Sequence, residues 1–317
     1  MQKLYSKLQH ELSEKNLSRE IIERFSSTAP NRYKVYTIPK RTSGKRVIAH
    51  PSRELKSYQR ALIRILQEQL PQHKASYAYK PKCSIRENAL MHSKNKFLLK
   101  MDFNDFFNSI TPSIFLENTK KSDIIFSDAE KRLLTNLLFW NKTKSFDSKL
   151  VLSVGAPSSP IISNFIMFKF DEIIYQHCIE KKITYTRYAD DLTFSTNLKN
   201  ELFILPTFIK HILGEAFDHK ITINESKTIF SSKAHNRHVT GITITNDGGI
   251  SIGRERKRMI SVMIHKYSIN KLPESDFNYL RGLLSFSNHI EPNFTLRLKK
   301  KYGIEILNNI SKGKNHE

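Results

Sequence analysis

Residues 185–195 read YTRYADDLTFS, so that Asp190 and Asp191 stand between two runs of β-forming residues. This pattern predicts a β-hairpin whose tight turn carries the two acids. Adjacent carboxylates repel each other and would point to opposite faces of a strand, whereas a turn can direct at least one of them at a divalent cation. A solvated turn is the alternative, but the apolar and aromatic flanks favour a hairpin anchored against a core.

A third acid ends a second apolar run. Residues 97–107 read FLLKMDFNDFF, which predicts a short strand ending at Asp102. A carboxylate at the end of a buried strand is costly unless something pairs with it. With the Asp-Asp hairpin, it suits a site for two Mg²⁺ ions roughly 3.5–4 Å apart that hold the attacking and leaving oxygens of phosphoryl transfer. Oxygen ligands favour Mg²⁺ or Mn²⁺ over zinc.

Three motifs in this order make the sequence resemble the reverse transcriptases. They are Asp102 with Phe106-Phe107, Gly155-Ala156-Pro157-Ser158-Ser159-Pro160 and Tyr188-Ala189-Asp190-Asp191. Two further stretches narrow the resemblance to the bacterial retron reverse transcriptases: Asn88-Ala89-Leu90-Met91-His92 and His238-Val239-Thr240-Gly241. The resemblance extends from Tyr36 to Tyr302, whereas residues 1–30 match nothing specific.

The resemblance implies an α+β fold of the right-hand polymerase type, with fingers, a palm built on an antiparallel sheet with packed helices, and a helical thumb. The expected parts are N-terminal helices and fingers in residues 1–95, a palm in 96–253 with a fingers insertion at about 112–150, and a basic helical thumb in 254–317. Apolar periodicity predicts helices over 51–70 with Ser52 as N-cap, over 161–180 and over 203–217, and three helices in the thumb. Hairpins are predicted around Thr42-Ser43-Gly44 and between Arg237 and Ile252.

For catalysis, the resemblance implies that Asp102, Asp190 and Asp191 bind two Mg²⁺ ions, for which Mn²⁺ is a possible substitute, and that the substrates are dNTPs. Phosphoryl transfer depends mainly on positioning and charge, so no covalent nucleophile is required.

For nucleotide binding, the resemblance implies that Arg46, together with Lys45 or Lys40, contacts the triphosphate. An arginine fork suits phosphate oxygens, although an exposed basic turn is the alternative. Phe107 matches the family's steric gate, which excludes the 2′-OH of a ribonucleotide; a purely core role is the alternative. Lys227, in a matching Asn-x-x-Lys motif, would assist the leaving pyrophosphate, or would simply be solvated.

Template and primer contacts are implied for six residues. They are Gly155, Ala156 and Pro157, whose loop lets the backbone approach a base closely, and Tyr188, Arg254 and Arg256. Val154 stands where many relatives have Gln, which removes any contact made by that side chain but does not affect the fold.

The charge distribution is that of a polyanion-binding protein. The formal net charge is +22 over 317 residues. Residues 1–100 carry 22 Lys and Arg against 7 Asp and Glu, residues 101–250 carry 17 against 17, and residues 251–317 carry 13 against 6. A neutral centre that holds the candidate metal ligands is thus flanked by basic segments, as expected for a polymerase palm between two parts that grip nucleic acid.

Several other classes of protein are disfavoured. No run of about 18 apolar residues predicts a membrane span, and the N-terminus lacks a signal-peptide core. Cys83 and Cys178 have no zinc-site or disulfide pattern. We therefore expect a cytoplasmic protein without a membrane partner.

The resemblance implies a retron enzyme that copies a cognate noncoding RNA of the msr-msd type into single-stranded DNA. Priming from an internal RNA 2′-OH would give branched RNA–DNA (msDNA), and such systems commonly act in phage defence with a separate effector protein. One alternative is a group II intron-like or abortive-infection reverse transcriptase; the compact chain argues against the intron protein. Another is an RNA/DNA-binding scaffold that restrains a toxin effector. The sequence names neither the effector nor the RNA, and assigns no role to residues 1–30 or to the C-terminal tail.

Overall fold

The computed structural model describes residues 3–12, 17–39, 44–143 and 149–313. Lys40, one of the predicted triphosphate contacts, lies outside these residues, as do Thr42 and Ser43 of the predicted turn. None of the described helices is long and apolar enough to cross a membrane.

The N-terminal part of the described chain combines helices with one β-hairpin. Its elements are α1 (Lys3–Leu12), α2 (Arg19–Thr28), β1 (Tyr33–Pro39), β2 (Lys45–Pro51), α3 (Arg53–Leu66) and α4 (Ile85–His92). The antiparallel pairing of β1 with β2 confirms the predicted hairpin. The predicted N-cap is also confirmed, because the Ser52 hydroxyl accepts a hydrogen bond of 3.2 Å from the Leu55 N–H.

The central part contains the sheet that positions the acids. Its elements are β3 (Phe97–Asp102), α5 (Phe106–Ser109), α6 (Pro112–Lys121), α7 (Asp128–Leu138), β4 (Trp140–Asn141), β5 (Leu150–Val151), α8 (Ser159–Ile166), α9 (Phe168–Glu180), β6 (Thr184–Tyr188), β7 (Asp191–Thr196), α10 (Leu205–Phe217) and β8 (Ile229–Ser232). The prediction of a single helix over 161–180 is wrong in one respect. This segment forms two helices, because the ψ of Met167 is −1°, outside the range of an α-helix.

The C-terminal part is a small sheet followed by helices. Its elements are β9 (Arg237–Val239), β10 (Ile242–Ile244), β11 (Ile250–Ser251), α11 (Arg254–Ser268), α12 (Glu274–Ile290), α13 (Pro292–Tyr302) and α14 (Ile304–Lys312). The predicted single hairpin is a three-stranded antiparallel sheet, with β10 in the middle. The prediction of three thumb helices missed α14, a short helix that starts directly after Gly303, whose φ is 93°.

The four-stranded antiparallel sheet has the strand order β6-β7-β3-β8. Its register fixes which residues meet: Asp102 of β3 lies opposite Asp191 of β7, and Leu99 lies between Phe194 and Phe230. One apolar core joins this sheet to the helices before and around it. A second core lies among β9–β11 and α11–α14, and Ala89 and Leu98 reach into it.

A buried ion pair supports the β6–β7 hairpin from behind. The Arg187 guanidinium donates to both carboxylate oxygens of Asp171 on α9, with Nη2 at 2.6 Å from Oδ2 and Nε at 2.9 Å from Oδ1, and neither side chain is exposed to solvent. The Tyr185 hydroxyl donates to the same carboxylate at 2.7 Å. Nη1 of Arg187 donates to the Ala189 carbonyl at 3.0 Å and to Asn164 Oδ1 at 3.2 Å. The pair therefore holds the backbone of the turn itself.

The predicted family motif at residues 88–92 supports the same hairpin from α4. His92 is fully buried, with Nε2 2.7 Å from the Thr186 hydroxyl and Nδ1 2.7 Å from the Ser195 hydroxyl. Thr186 donates its own proton to Asn88 Oδ1 at 2.6 Å, so its oxygen accepts from a proton on Nε2. Nδ1 is then the acceptor from Ser195, and this network accommodates only a neutral imidazole.

Replacing Asp171 by Asn should destabilise the protein by about 3–5 kcal/mol, because it leaves the Arg187 charge buried without its counter-charge. Urea unfolding followed by circular dichroism would measure the change. Glu54→Gln is the matched control: it breaks the exposed Arg32–Glu54 pair (3.1 Å) and should cost less than about 1 kcal/mol. Equal losses in the two variants would contradict the importance assigned to the buried pair.

The stability of the protein should fall as the pH drops below about 6.5, in part because of His92. Burial lowers the pKa of His92 to about 3, so the unfolded chain takes up a proton that the folded chain does not. This group alone should cost about 1.6 kcal/mol between pH 6.5 and pH 5, with a slope that approaches about 1.4 kcal/mol for each pH unit at the lower end. Urea midpoints across this range should depend less steeply on pH in His92→Gln than in the wild type. Replacing the exposed His265 by Gln is the control and should leave the slope unchanged.

Candidate active site

The structure brings the three predicted acids together at one end of the central sheet. Tyr188 pairs with Asp191, so Ala189 and Asp190 form the two-residue turn between β6 and β7. Ala189 has a φ of 57°, which a tight β-hairpin turn of this length requires at its first central residue. The Phe103 N–H donates to the Asp190 carbonyl at 3.2 Å, which ties the turn to the end of β3.

Negative charge is poorly accommodated in this cluster. Asp102 is only 6% exposed. Loss of hydration, and after it the charge of Asp102, raises the pKa of Asp190. Asp191 opens to solvent on one side, yet loss of hydration on its other side and the charges of Asp190 and Asp102 raise its pKa to about 7. Three ionised carboxylates are therefore stable here only with a cation beside them.

Lys227 supplies one such cation. Its Nζ lies 2.6 Å from Asp102 Oδ2, and this hydrogen bond raises the pKa of Lys227. The lysine ends a 3₁₀ turn over Glu225–Lys227, and the Asn224 N–H just before this turn donates to the Asp102 carbonyl at 2.7 Å. The segment predicted to assist the leaving group is thus fastened to the end of β3.

The acids suit divalent cations by donor type and by charge. Within the described residues, no three His, Cys, Asp or Glu side chains are already grouped as a metal-binding cluster. The side-chain ammonium group of Lys227 nevertheless lies against the Asp102 carboxylate, which marks this carboxylate as a cation position. Carboxylate oxygens are the donors that Mg²⁺ prefers, and two ions would offset the loss of hydration and the repulsion that raise the pKa values of Asp190 and Asp191.

A cavity of about 330 Å³ contains the predicted steric gate and the predicted template loop. Phe107 and Tyr79 line it together with the loop residues Gly155, Ala156 and Pro157. Phe107 is half-buried, whereas its neighbour Phe106 is buried in the core, 5.4 Å away between ring centroids. One of the two phenylalanines is therefore core and the other faces the cavity.

The template loop passes too close to β2 for any side chain at residue 155. Gly155 has a φ of 125°, and a Cβ there would lie 3.1 Å from the Ala49 carbonyl oxygen. The Val154 carbonyl accepts from the Ala49 N–H at 3.1 Å, so the loop is fixed by its backbone whatever side chain residue 154 carries.

The other predicted contacts lie at different distances from the acids. Arg46 is close enough for its charge to oppose the rise in the pKa of Asp190, whereas Lys45 is exposed and lies opposite Pro39 in the β1–β2 pairing. Tyr188 lines a cavity of about 400 Å³ beside Asp102 and Asp191.

The predicted thumb arginines differ in the same way. Arg256 reaches the edge of the cavity beside the acids, because its Nη1 donates to the Gly241 carbonyl at 2.8 Å and Gly241 lines that cavity. Arg254 is exposed in the first turn of α11. The structure therefore brings Arg256, and not Arg254, to the cavity wall.

Sequence reasoning missed the residues that hold the hairpin, namely Arg187, Asp171 and Asn164. A usable signal was present: Arg187 is a single cation inside a strand with apolar and aromatic neighbours, and Asp171 is an acid following the apolar start of a helix. A buried charge needs a partner of opposite sign, so the two residues could have been paired with each other.

Comparison with known proteins agrees with this geometry. Residues 38–244 match the sequence model of the family described as reverse transcriptase (RNA-dependent DNA polymerase). The retron Ec83 reverse transcriptase of Escherichia coli is 48% identical over 280 residues, which cover 88% of this chain and 90% of that protein. The retron Ec73 reverse transcriptase of the same organism is 35% identical over 286 residues, covering 88% and 89%.

Comparison of structures extends the likeness to the fold. A telomerase of Candida tropicalis, solved in complex with a TWJ fragment of telomeric RNA, superposes with a TM-score of 0.50 at 13% identity, covering 96% of this chain and 61% of that one. The predicted right-hand polymerase fold is thereby confirmed. The chain belongs to the reverse transcriptases, the RNA-dependent DNA polymerases, and within them to the bacterial retron enzymes.

Proposed function

We propose that this reverse transcriptase copies a cognate structured noncoding RNA of the msr-msd type into single-stranded DNA. Priming from the 2′-OH of an internal guanosine would give a branched RNA–DNA product, msDNA. The observation that carries the polymerase chemistry is the meeting of Asp102, Asp190 and Asp191 at the end of one sheet, with Lys227 on the first of them. Similarity to retron reverse transcriptases along nearly nine-tenths of the chain supports the choice of RNA and product.

In this proposal the three aspartates hold two Mg²⁺ ions, or Mn²⁺ in their place. When bound, such ions lower the pKa of an attacking hydroxyl and neutralise the leaving pyrophosphate. The protein contributes position: the β3–β7 register sets Asp102 against Asp191, and the Arg187–Ala189 hydrogen bond fixes the turn that carries Asp190. Lys227, released from Asp102, would place a proton near the leaving group.

The proposed contacts to nucleotide and nucleic acid rest on the family resemblance, and the two cavities support some of them. Arg46, with Lys45, would bind the triphosphate, and Phe107 would exclude a 2′-OH from the cavity that it lines. The backbone of the loop at Gly155, Ala156 and Pro157 would contact the new base pair. On the other side, Tyr188, Arg254 and Arg256 would contact primer and template, supported most directly by the Arg256–Gly241 hydrogen bond.

We also propose that the protein acts in defence against phage together with a separate effector protein. The similarity to retron enzymes supports this role. If the protein restrains its effector only as a nucleic-acid-bound scaffold, loss of synthesis and loss of restraint will separate in a variant that binds RNA but does not polymerise.

Asp190→Asn should reduce DNA synthesis by at least about 100-fold, because it removes a negative charge that would hold the metal ions needed for phosphoryl transfer. The protein would be expressed beside its native flanking DNA, and the copurifying nucleic acid treated with RNase and debranching enzyme before a denaturing gel. The wild type should show a discrete DNA whose mobility shifts on debranching. Asp218→Asn, at an exposed acid that forms an ion pair with Lys220, is the matched control and should retain the band.

Two outcomes would overturn different parts of the proposal. If Asp190→Asn produced as much DNA as the wild type, the assignment of the active site would be wrong. Synthesis on an added RNA template without any branched product would keep the polymerase and remove the retron-type priming.

Phe107→Ala should lower the preference for deoxynucleotides over ribonucleotides by about tenfold or more, since the cavity then admits the 2′-OH. The ratio of kcat/KM for dNTP and for the matching rNTP, measured in single-nucleotide extension, gives the change. Phe208→Ala is the control, because Phe208 is half-buried against His177 on a different part of the palm. An unchanged ratio in Phe107→Ala would show that another group selects the sugar.

A further inference from the structure

The cavity of about 400 Å³ beside Asp102 and Asp191 is lined by a lysine to which the proposed function gives no role, Lys100. Lys100 lies two residues before Asp102 on β3, and side chains two positions apart on a strand point to the same face of the sheet, roughly 7 Å from each other. The register places Lys100 opposite Thr193 of β7 and Ile229 of β8, and both of these residues line the same cavity. Lys100 therefore stands on the same face as the acids, one step along the strand.

Lys100 has no counter-ion within the part of the chain that the structure describes. It is half-buried and forms no ion pair there. Asp102, its neighbour on this face, is already bound by Lys227 at 2.6 Å. The charge of Lys100 opposes the rise in the pKa of Asp191, but the proposed function gives that carboxylate to a metal ion. A half-buried ammonium group without a partner favours binding of an anion beside it.

The wall of the same cavity toward the small sheet is also basic. Loss of hydration, and after it the charges of Lys100 and Arg256, lower the pKa of His238 on β9. Arg256 reaches the edge of the cavity through its hydrogen bond to the Gly241 carbonyl. Apart from the acids of the active site, no Asp or Glu of the described chain lines this cavity. Positive charge therefore faces the space next to the proposed metal site, and such a space attracts phosphate.

The proposed priming reaction places a phosphate in this position. The guanosine 2′-oxygen loses its proton to solvent and bonds to the α-phosphorus of a dNTP, and the bond from that phosphorus to pyrophosphate breaks. The RNA backbone at the neighbouring 3′-oxygen stays intact. The priming nucleotide therefore has a phosphodiester on the carbon next to the one that bears the attacking oxygen. A primer that ends in a 3′-OH has no phosphate there, so the two kinds of primer differ by one negative charge beside the metals.

We propose that Lys100 binds the 3′-phosphate of the priming guanosine and thereby favours initiation from a 2′-OH. This inference rests on the proposed function, from which it takes the 2′-OH as the attacking group. The ammonium group would meet the phosphate as a point charge, while Asp102 and Asp191 hold the ions at the attacking oxygen. After the first addition each growing end is a 3′-OH. The contact made by Lys100 therefore serves initiation and not extension.

The test compares initiation with extension in Lys100→Gln. Initiation is the addition of the first labelled dNTP to RNA transcribed from the native flanking DNA, with the branched product identified by debranching enzyme. Extension is measured on a DNA primer with a 3′-OH, annealed to an unrelated RNA template. We expect kcat/KM for initiation to fall about tenfold or more, because a hydrogen bond between charged groups is lost, whereas kcat/KM for extension should change less than twofold. Lys100→Arg keeps the charge and should retain most of the initiation.

The matched control is Lys96→Gln, which removes the same charge from an exposed position just before β3 that does not line this cavity. It should leave both rates unchanged. An equal loss of both activities in Lys100→Gln, a loss of extension alone, or no loss of either would overturn the inference and leave the proposed function standing.

The wild type tests the proposed function separately. If it extends the DNA primer but forms no branched product, the proposed priming is wrong, and the role of Lys100 with it. If it extends neither primer, the proposed polymerase activity itself is wrong.

Discussion

The candidate active site of this reverse transcriptase depends on one buried ion pair. Arg187 lies only three residues before Asp190, and its guanidinium is held by Asp171 without any exposure to solvent. Because the same guanidinium donates to the Ala189 carbonyl, the position of the turn is set from inside the protein. Such a pair contributes little net stability compared with apolar packing, but it admits a single geometry. Here that geometry determines where the carboxylate of Asp190 lies.

The second network that supports the hairpin joins residues that are far apart in the sequence. Asn88 and His92 lie on α4, yet their partners Thr186 and Ser195 belong to β6 and β7, about a hundred positions later in the chain. Both ring nitrogens of His92 and the hydroxyls of Thr186 and Ser195 are hydrogen-bonded in this set, so these bonds form only when the helix and the hairpin are correctly placed. The hairpin is thus fixed by one network at its α9 face and by another at its α4 face.

Much of the site was predictable because its signals are local. The Asp-Asp hairpin, the strand that ends at Asp102 and the Gly-Pro loop are each visible within about ten residues of sequence. The structure pairs the hairpin with that strand and places the loop beside Phe107. The pairing of Arg187 with Asp171 was missed although each residue is a charge in an apolar segment that calls for a partner of opposite sign. The pairing of His92 with Ser195 was not predicted, because such polar partners are chosen by the fold and not by spacing. The break at Met167 and the helix α14 were missed for a different reason: neither has a proline or a long apolar repeat to mark it.

The turn at Ala189 also limits which residues can occupy this position between β6 and β7. A φ of 57° costs an L-residue roughly 1–2 kcal/mol, and a β-branched side chain makes the conformation harder still to reach. Ala189 is 6% exposed, so a larger side chain would also have to fit among buried neighbours. The identity of this residue is therefore restricted by backbone geometry and space, independently of any contact with substrate. Variation at position 189 should accordingly be confined to small residues, however widely the RNA that the enzyme copies may diverge.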